Sequence, residues 1–121
     1  MEVKKITNAK IISTTLGYYN HGILTFELCI EIAGGGGCIF GQYVLDSYDE
    51  SKGERIPTAE GFECITKIMQ TVGVEKWEDL KGRYIRVADY ELGKQIKIIG
   101  NLMEDIWFDI EKFFGERVSR S

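Results

Sequence analysis

From Leu24 to Ile32 apolar and polar positions alternate without a break, with Leu24, Phe26, Leu28, Ile30 and Ile32 on one side and Thr25, Glu27, Cys29 and Glu31 on the other. A period of two is that of a half-buried strand. Upstream, Val3–Leu16 is strand-rich, Gly17 punctuates its end, and Tyr18–Gly22 reads as a turn, so the chain opens with two antiparallel strands. Four glycines, Gly34–Gly37, then lead into a third strand, Cys38–Leu45, in which Phe40 and Gln42 alternate against Ile39, Gly41 and Tyr43. One of these two sets must lie off the core. The acidic stretch Asp46–Gly53 reads as a solvated loop, because Tyr48 and Lys52 interrupt the alternating oxygen ligands that a calcium loop requires.

At Thr58 the period changes. Phe62, Ile65, Met69 and Val72 recur at steps of three and four, with Thr58 placed as an N-cap and Gly73 as the stop, which predicts a buried amphipathic helix. Val74–Leu80 reads as a short helical turn anchored by Trp77 and Leu80. Gly82 releases the chain into a fourth strand, Arg83–Ala88, and a Glu91–Lys94 turn leads to a fifth, Gln95–Ile99. Ile110, Phe113 and Phe114 behind Asp109 predict a short C-terminal helix. The expected fold is α+β: an antiparallel sheet of about five strands in the order β-β-β-α-β-β-α, with one main helix and a short terminal one. Residues 1–121 carry no internal repeat or linker, so one domain is expected.

Composition narrows the chemistry. A net charge of −4 argues against a long nucleic acid held by many phosphate contacts, although a short anionic ligand stays open. No apolar run reaches membrane-span length and the first residues lack the apolar core of a signal peptide, so a cytoplasmic protein is expected. Cys29, Cys38 and Cys64 match neither a zinc pattern nor a disulfide framework, and one histidine rules out a His-pair metal site, so neither a metal nor a cofactor is expected. Cys29, on the polar side of its strand, is the thiol to watch. His21 has no nucleophile motif near it, and Glu27 and Glu31 share an outer strand face as solubilising residues commonly do. No catalytic residue is assigned. The four glycines do not form a P-loop, since no Gly-Lys-Ser/Thr or helix follows, but they can turn backbone N–H groups toward an anion as well as close a plain hairpin.

The strongest binding signal is "GRYIRVA": with Ile85 and Val87 facing the core, Tyr84 and Arg86 share the opposite face and Arg83 stands at the entrance. A ring beside a guanidinium suits a stacked base and a paired phosphate; the plainer reading is an exposed sheet face or a subunit contact. On the first reading, Arg86→Ala should weaken anion binding and leave stability nearly unchanged. Asn101, between Gly100 and the Trp107-Phe108 pair, is a polar group in apolar surroundings and otherwise a turn residue.

Four stretches, "ISTTLGYYNHGILTFEL", "GGGGCIFGQYVLD", "VGVEKWEDLKGRYIRV" and "IKIIGNLMEDIWFD", taken in this order resemble a group of small phage proteins, the Thoeris anti-defence family, over about residues 5–114. The resemblance implies a non-enzymatic sponge that binds a cyclic ADP-ribose-type signal made by a bacterial TIR enzyme and starves its effector in the host cytoplasm. It also implies a homo-oligomer with ligand near the subunit interfaces. Such a ligand needs a stacking ring, arginines and backbone donors. The expected contacts are Asn20, His21, Gly36, Gly37, Phe40, Gln42, Tyr43, Arg83, Tyr84, Arg86 and Asn101. An alternative from another class is an inhibitor that docks on a host defence protein through its acidic surface; a hydrolase of such nucleotides lacks the motifs. The abundance of aromatics, two Trp, six Phe and six Tyr, itself predicts self-association.

Overall fold

The computed structural model describes residues 5–91 and 93–118. Val3 and Lys4 of the first predicted strand, and Leu92 of the predicted Glu91–Lys94 turn, lie outside the described residues.

The alternating segments form a long hairpin: β1 (Ile6–Asn20) and β2 (Ile23–Ile32), with Asn20 paired to Ile23. Strand β1 runs on through Gly17, four residues beyond the predicted end. His21 and Gly22 alone make the turn, at φ 54° and 75°. Positive φ at both central positions is the type I′ geometry whose twist matches the flanking strands. β3 (Gly37–Val44) follows the glycines and pairs with β2. The predicted acidic loop is instead a two-stranded ribbon, β4 (Asp46–Asp49) with β5 (Glu54–Pro57). Its base is fixed by Asp46, which accepts from both Arg55 Nε (3.0 Å) and Nη2 (2.7 Å) and from the Leu24 N–H (3.0 Å). These bonds and the Arg55 charge hold the Asp46 carboxyl below its ordinary value of 3.8 although the side chain is buried.

Helix α1 (Ala59–Val72) has the predicted caps: Thr58 Oγ1 accepts from the Gly61 N–H at 2.9 Å, and Gly73 closes the end in the left-handed region. Its buried stripe is rotated from the predicted one and shares Val72 with it. Gly61, Cys64, Ile68, Thr71 and Val72 face inward, Ile65 and Met69 are half-buried, and Phe62 is 74 % exposed. Gly61 explains the difference: a Cβ there would strike the Leu45 backbone, so only glycine lets the first turn settle on β3's exit, and that contact sets the roll of the helix.

A 3₁₀ turn (Trp77–Leu80) then buries Leu80 and sets Trp77 edge-on to Phe26 at 6.1 Å between ring centroids. β6 (Tyr84–Ala88) pairs with the first part of β1. The predicted strand Gln95–Ile99 is displaced: β7 is Ile98–Gly100, and an unpredicted β8 (Trp107–Asp109) pairs with it before α2 (Ile110–Val118), whose first turn is capped by Asp109. Residues Lys94–Ile96 serve another purpose. The Ile96 N–H donates to the Ile39 carbonyl (3.0 Å), Gln95 Nε2 to the Gly41 carbonyl (2.7 Å), and the Cys38 thiol to the Lys94 carbonyl (2.7 Å), with a parallel bridge from Phe40 to Ile96.

The main sheet therefore has six strands, not about five, in the order β3-β2-β1-β6-β7-β8, and the strut at Ile96 curls its β3 edge toward the start of β7. The inner face is apolar: Ile11, Phe26, Leu28, Ile30, Phe40, Ile85, Val87 and Ile99 enclose a core closed by Cys64 and Ile68 of α1. With β1 bonded to both β2 and β6, a helix between β3 and β6, and the parallel closure, the connectivity is that of a partly open Greek-key barrel of the OB type, with β8 appended.

Candidate functional site

Strand β6 presents two cation–aromatic pairs on the outer face of the sheet, because Ile85 and Val87 face inward with no exposure and turn Tyr84 and Arg86 outward. The Arg86 guanidinium lies over the Trp107 ring, 4.7 Å from its centroid. Its Nε donates to the Asn101 carbonyl (2.7 Å) and its Nη2 to the Glu104 carbonyl (2.8 Å). Asn101 is equally committed: Nδ2 donates to the Thr71 and Val72 carbonyls at the end of α1 (3.1 and 3.2 Å), and Oδ1 accepts from the Met103 and Glu104 N–H groups (both 2.9 Å). Trp107 lies flat against Gly100, where a Cβ would collide with its ring. Arg86 and Asn101 thus tie the Asn101–Ile106 loop to the sheet and to α1.

The second pair is open. Tyr84 is 59 % exposed, and the Lys10 ammonium stands 5.4 Å from its ring centroid. Arg83, the residue before Tyr84, is exposed, its backbone carbonyl bonded to the Ile11 N–H and its Nε 3.4 Å from the Asp79 carbonyl. Neither Lys10 nor Arg83 takes part in the three salt bridges found among the described residues. Lys10 is paired in register with Tyr84 on one side and Glu31 on the other, and Glu31 with Gly37. Gly37, Glu31, Lys10 and Tyr84 therefore form one row across four strands, about 14 Å long at ~4.8 Å per strand. Where the row meets the glycine hairpin, Ile12, Cys29, Glu31, Ile39 and the glycines line an open groove of about 750 Å³.

The glycines close this hairpin by conformation. Gly34, Gly35 and Gly36 have φ of 95°, 114° and 92°, and a Cβ on any of them would meet nothing within 4 Å. The Ile32 N–H donates to the Gly36 carbonyl (2.9 Å) and the Gly35 N–H to the Ile32 carbonyl (3.1 Å). The groove floor is not basic: Glu31 is exposed, and further along the same face Glu27 accepts from the Tyr19 hydroxyl (3.1 Å). Burial and this carboxylate push the Tyr19 phenol up to about 12. The positive end of the row, at Lys10, suits an anion better than the glycine end does.

The other expected contacts are scattered. Phe40 is fully buried among Phe26, Phe108 and the rest of the core, so it offers no ring to a ligand on this chain's surface. A bulge after Gly41 breaks the alternation of β3 and turns Gln42 outward at φ 64°, its amide 3.5 Å from Glu27. Tyr43 stacks on Phe114 of α2 at 4.8 Å, and burial together with Glu111 raises its phenol pKa. Asn20 and His21 sit at the tip of the β1–β2 hairpin, while Gly36 and Gly37 are at the opposite end of β2. The structure unites Tyr84, Gly36 and Gly37 along one face, sets Arg83 at the start of β6 with its Nε toward the Asp79 carbonyl, and leaves Asn20, His21, Phe40 and Tyr43 apart from that face. Lys10 was missed; its signal was its place one residue before Ile11 on a strand that had to pair with β6.

Among the described residues no group of three or more His, Cys, Asp or Glu is arranged to hold a metal ion, and no helix is long and apolar enough to cross a membrane. The Cys64 thiol, enclosed in the core, is pushed up to about 12 by burial. No family model matches the chain, and no match was found among curated proteins or solved structures.

Proposed function

We propose that the protein is a binding module for a small anionic nucleotide, held across the outer face from the glycine hairpin to Tyr84. In keeping with the resemblance of its sequence, we take the ligand to be a cyclic ADP-ribose-type signal of a bacterial TIR enzyme, sequestered intact by a phage anti-defence protein in the host cytoplasm. The observation that carries this reading is the exposed Tyr84 ring with the Lys10 ammonium 5.4 Å from its centroid, a cation that takes part in no salt bridge among the described residues. A ring with a cation beside it stacks a base and pairs a phosphate, while the apolar wall of Ile12 and Ile39 shelters the remainder. Barrels of this connectivity use the outer face of their second and third strands for ligands, an analogy that points to the same groove.

The test is calorimetric titration with cyclic ADP-ribose isomers, followed by heating the complex and analysing what is released. Intact nucleotide supports the sponge; a hydrolysis product identifies an enzyme; no uptake leaves the inhibitor that docks on a host protein. Tyr84→Ala should weaken binding roughly ten- to a hundredfold, the worth of one base stack, and barely move the melting temperature.

A further inference from the structure

Strand β1 is longer than its partner on one side. β6 pairs only with Ile6–Lys10, and the last bonds on that side join Ile11 to Arg83 and Gly82. From Ile12 to Asn20 the strand is bonded to β2 along one edge and, among the described residues, to nothing along the other. Between two register shifts, Ser13–Gly17 keeps a regular ladder with β2, so this part of the edge is straight enough to accept another strand. Folded monomers protect such edges with charges, proline or a covering element. "ISTTLGYYN" has no charge and no proline. Its inward face is only partly covered: Leu16 is 42 % exposed and lines, with Leu24, Leu45, Pro57, Phe62 and Ile65, an apolar groove of about 190 Å³.

We infer that Ser13–Gly17 pairs antiparallel with the same segment of a second copy, joining the two sheets edge to edge about a two-fold axis. The occupant follows from the chemistry of the edge. Its open N–H and C=O groups need a strand, and the chain is net negative, so two copies approach against the repulsion of like net charge. Two uncharged edges add no charge of their own to that repulsion. A two-fold axis perpendicular to the sheet also keeps both Leu16–Phe62 grooves on one face, so a single isologous contact covers both edges and both grooves. This interface does not depend on the nucleotide reading, since the open Tyr84 pair lies beyond the β6 end of the same strand.

Sedimentation velocity on the full chain across the micromolar range tests it. The wild type should sediment with the mass of at least two copies. Thr15→Lys sits opposite Glu27 within its own sheet but brings two lysines together across the axis, and should weaken association roughly tenfold or more. Phe62→Ser should weaken it without altering the strand, whereas Glu50→Lys, the same kind of charge gain on the ribbon turn, should not. A monomer throughout the range, or Thr15→Lys and Phe62→Ser proteins that associate like the wild type, overturns the inference. Hydrogen exchange on the wild type gives a readout that needs no variant: the Ser13–Gly17 amides should exchange more slowly in concentrated than in dilute protein, and equal rates, or protection confined to other strands, also overturn it.

Discussion

Arg86 over Trp107 and Lys10 beside Tyr84 are cation–aromatic pairs that meet the same face of β6 two residues apart, yet the first is part of the fold and the second is open to a ligand. The difference lies in what surrounds the cation. Arg86 has two carbonyls within 2.8 Å and a ring beneath it, so its desolvation is repaid by charge-assisted hydrogen bonds. Lys10 has a ring on one side and exposed Glu31 in register on the other. A cation whose donors are already spent on backbone oxygens holds a loop in place; one with donors to spare can hold a phosphate.

The largest expected effect marks the closed end of this contrast. Phe40→Ala removes a ring of zero exposure that touches Phe26 and Phe108, and should cost about 3–5 kcal/mol of stability. Denaturant unfolding measures it. A Phe40→Ala protein of normal stability with lost nucleotide affinity would return Phe40 to the binding site. Next comes Arg86→Ala, which should destabilise by about 1.5–3 kcal/mol through two lost charge-assisted bonds. Lys10→Ala should stay within about 0.5 kcal/mol of wild type and lose affinity instead. If Arg86→Ala melts like wild type, the distinction between the two pairs fails.

That reversal for Arg86 shows where the sequence was legible. Periods of two and of 3.6 placed β2, α1 and the inward Ile85 and Val87, and the Thr58 and Gly73 caps were readable because each acts on residues within one helical turn. The partners of Arg86 are carbonyls 15 and 18 residues away, and a carbonyl belongs to every residue type, so no side chain announces it. Phe62 failed for a related reason. Its spacing with Ile65 and Met69 is a sound apolar stripe, but the adjacent stripe through Gly61, Cys64 and Ile68 allows closer approach, and contact with Leu45 selects it. The candidate face was half visible: the outward Tyr84 follows from the alternation of its own strand, whereas Lys10 and the glycine hairpin join it only through strand register.

Acid should act on the closed charge pair of Asp46 and Arg55. Asp46 has its pKa lowered in the fold, so its stabilising contribution is fully present above the ordinary carboxylate value and is lost as pH falls through the folded one. Melting temperature should be flat with respect to this group above about pH 5 and decline below about pH 4. Asp46→Asn, which keeps the shape but loses the charge, should be less stable at pH 7 by about 1–2 kcal/mol, a figure reduced because Arg55 is one-third exposed, and should lose part of that decline. An acid profile for Asp46→Asn identical to that of the wild type would remove this pair from the acid response.

Gly36→Ala brings the contrast down to one methyl group. Space does not forbid the change, since the new Cβ meets nothing within 4 Å, but φ of 92° does disfavour it. An L residue forced to positive φ costs about 1–2 kcal/mol, partly offset by the lower entropy of the unfolded chain, so the net loss should be about 1 kcal/mol. If the glycines only close the hairpin, nucleotide affinity measured on the same protein should be unchanged, because Lys10 and Tyr84 are untouched. If their amides reach a phosphate, the methyl stands in its way and affinity falls well beyond the small loss of stability. The exposed Glu31 beside Gly37 favours the first outcome, since a carboxylate on the groove floor repels the anion that a glycine cradle would hold. A retained affinity with a lowered melting temperature therefore places the phosphate at Lys10, whereas a tenfold loss of affinity would move it to the hairpin and make Glu31→Gln the next variant to measure.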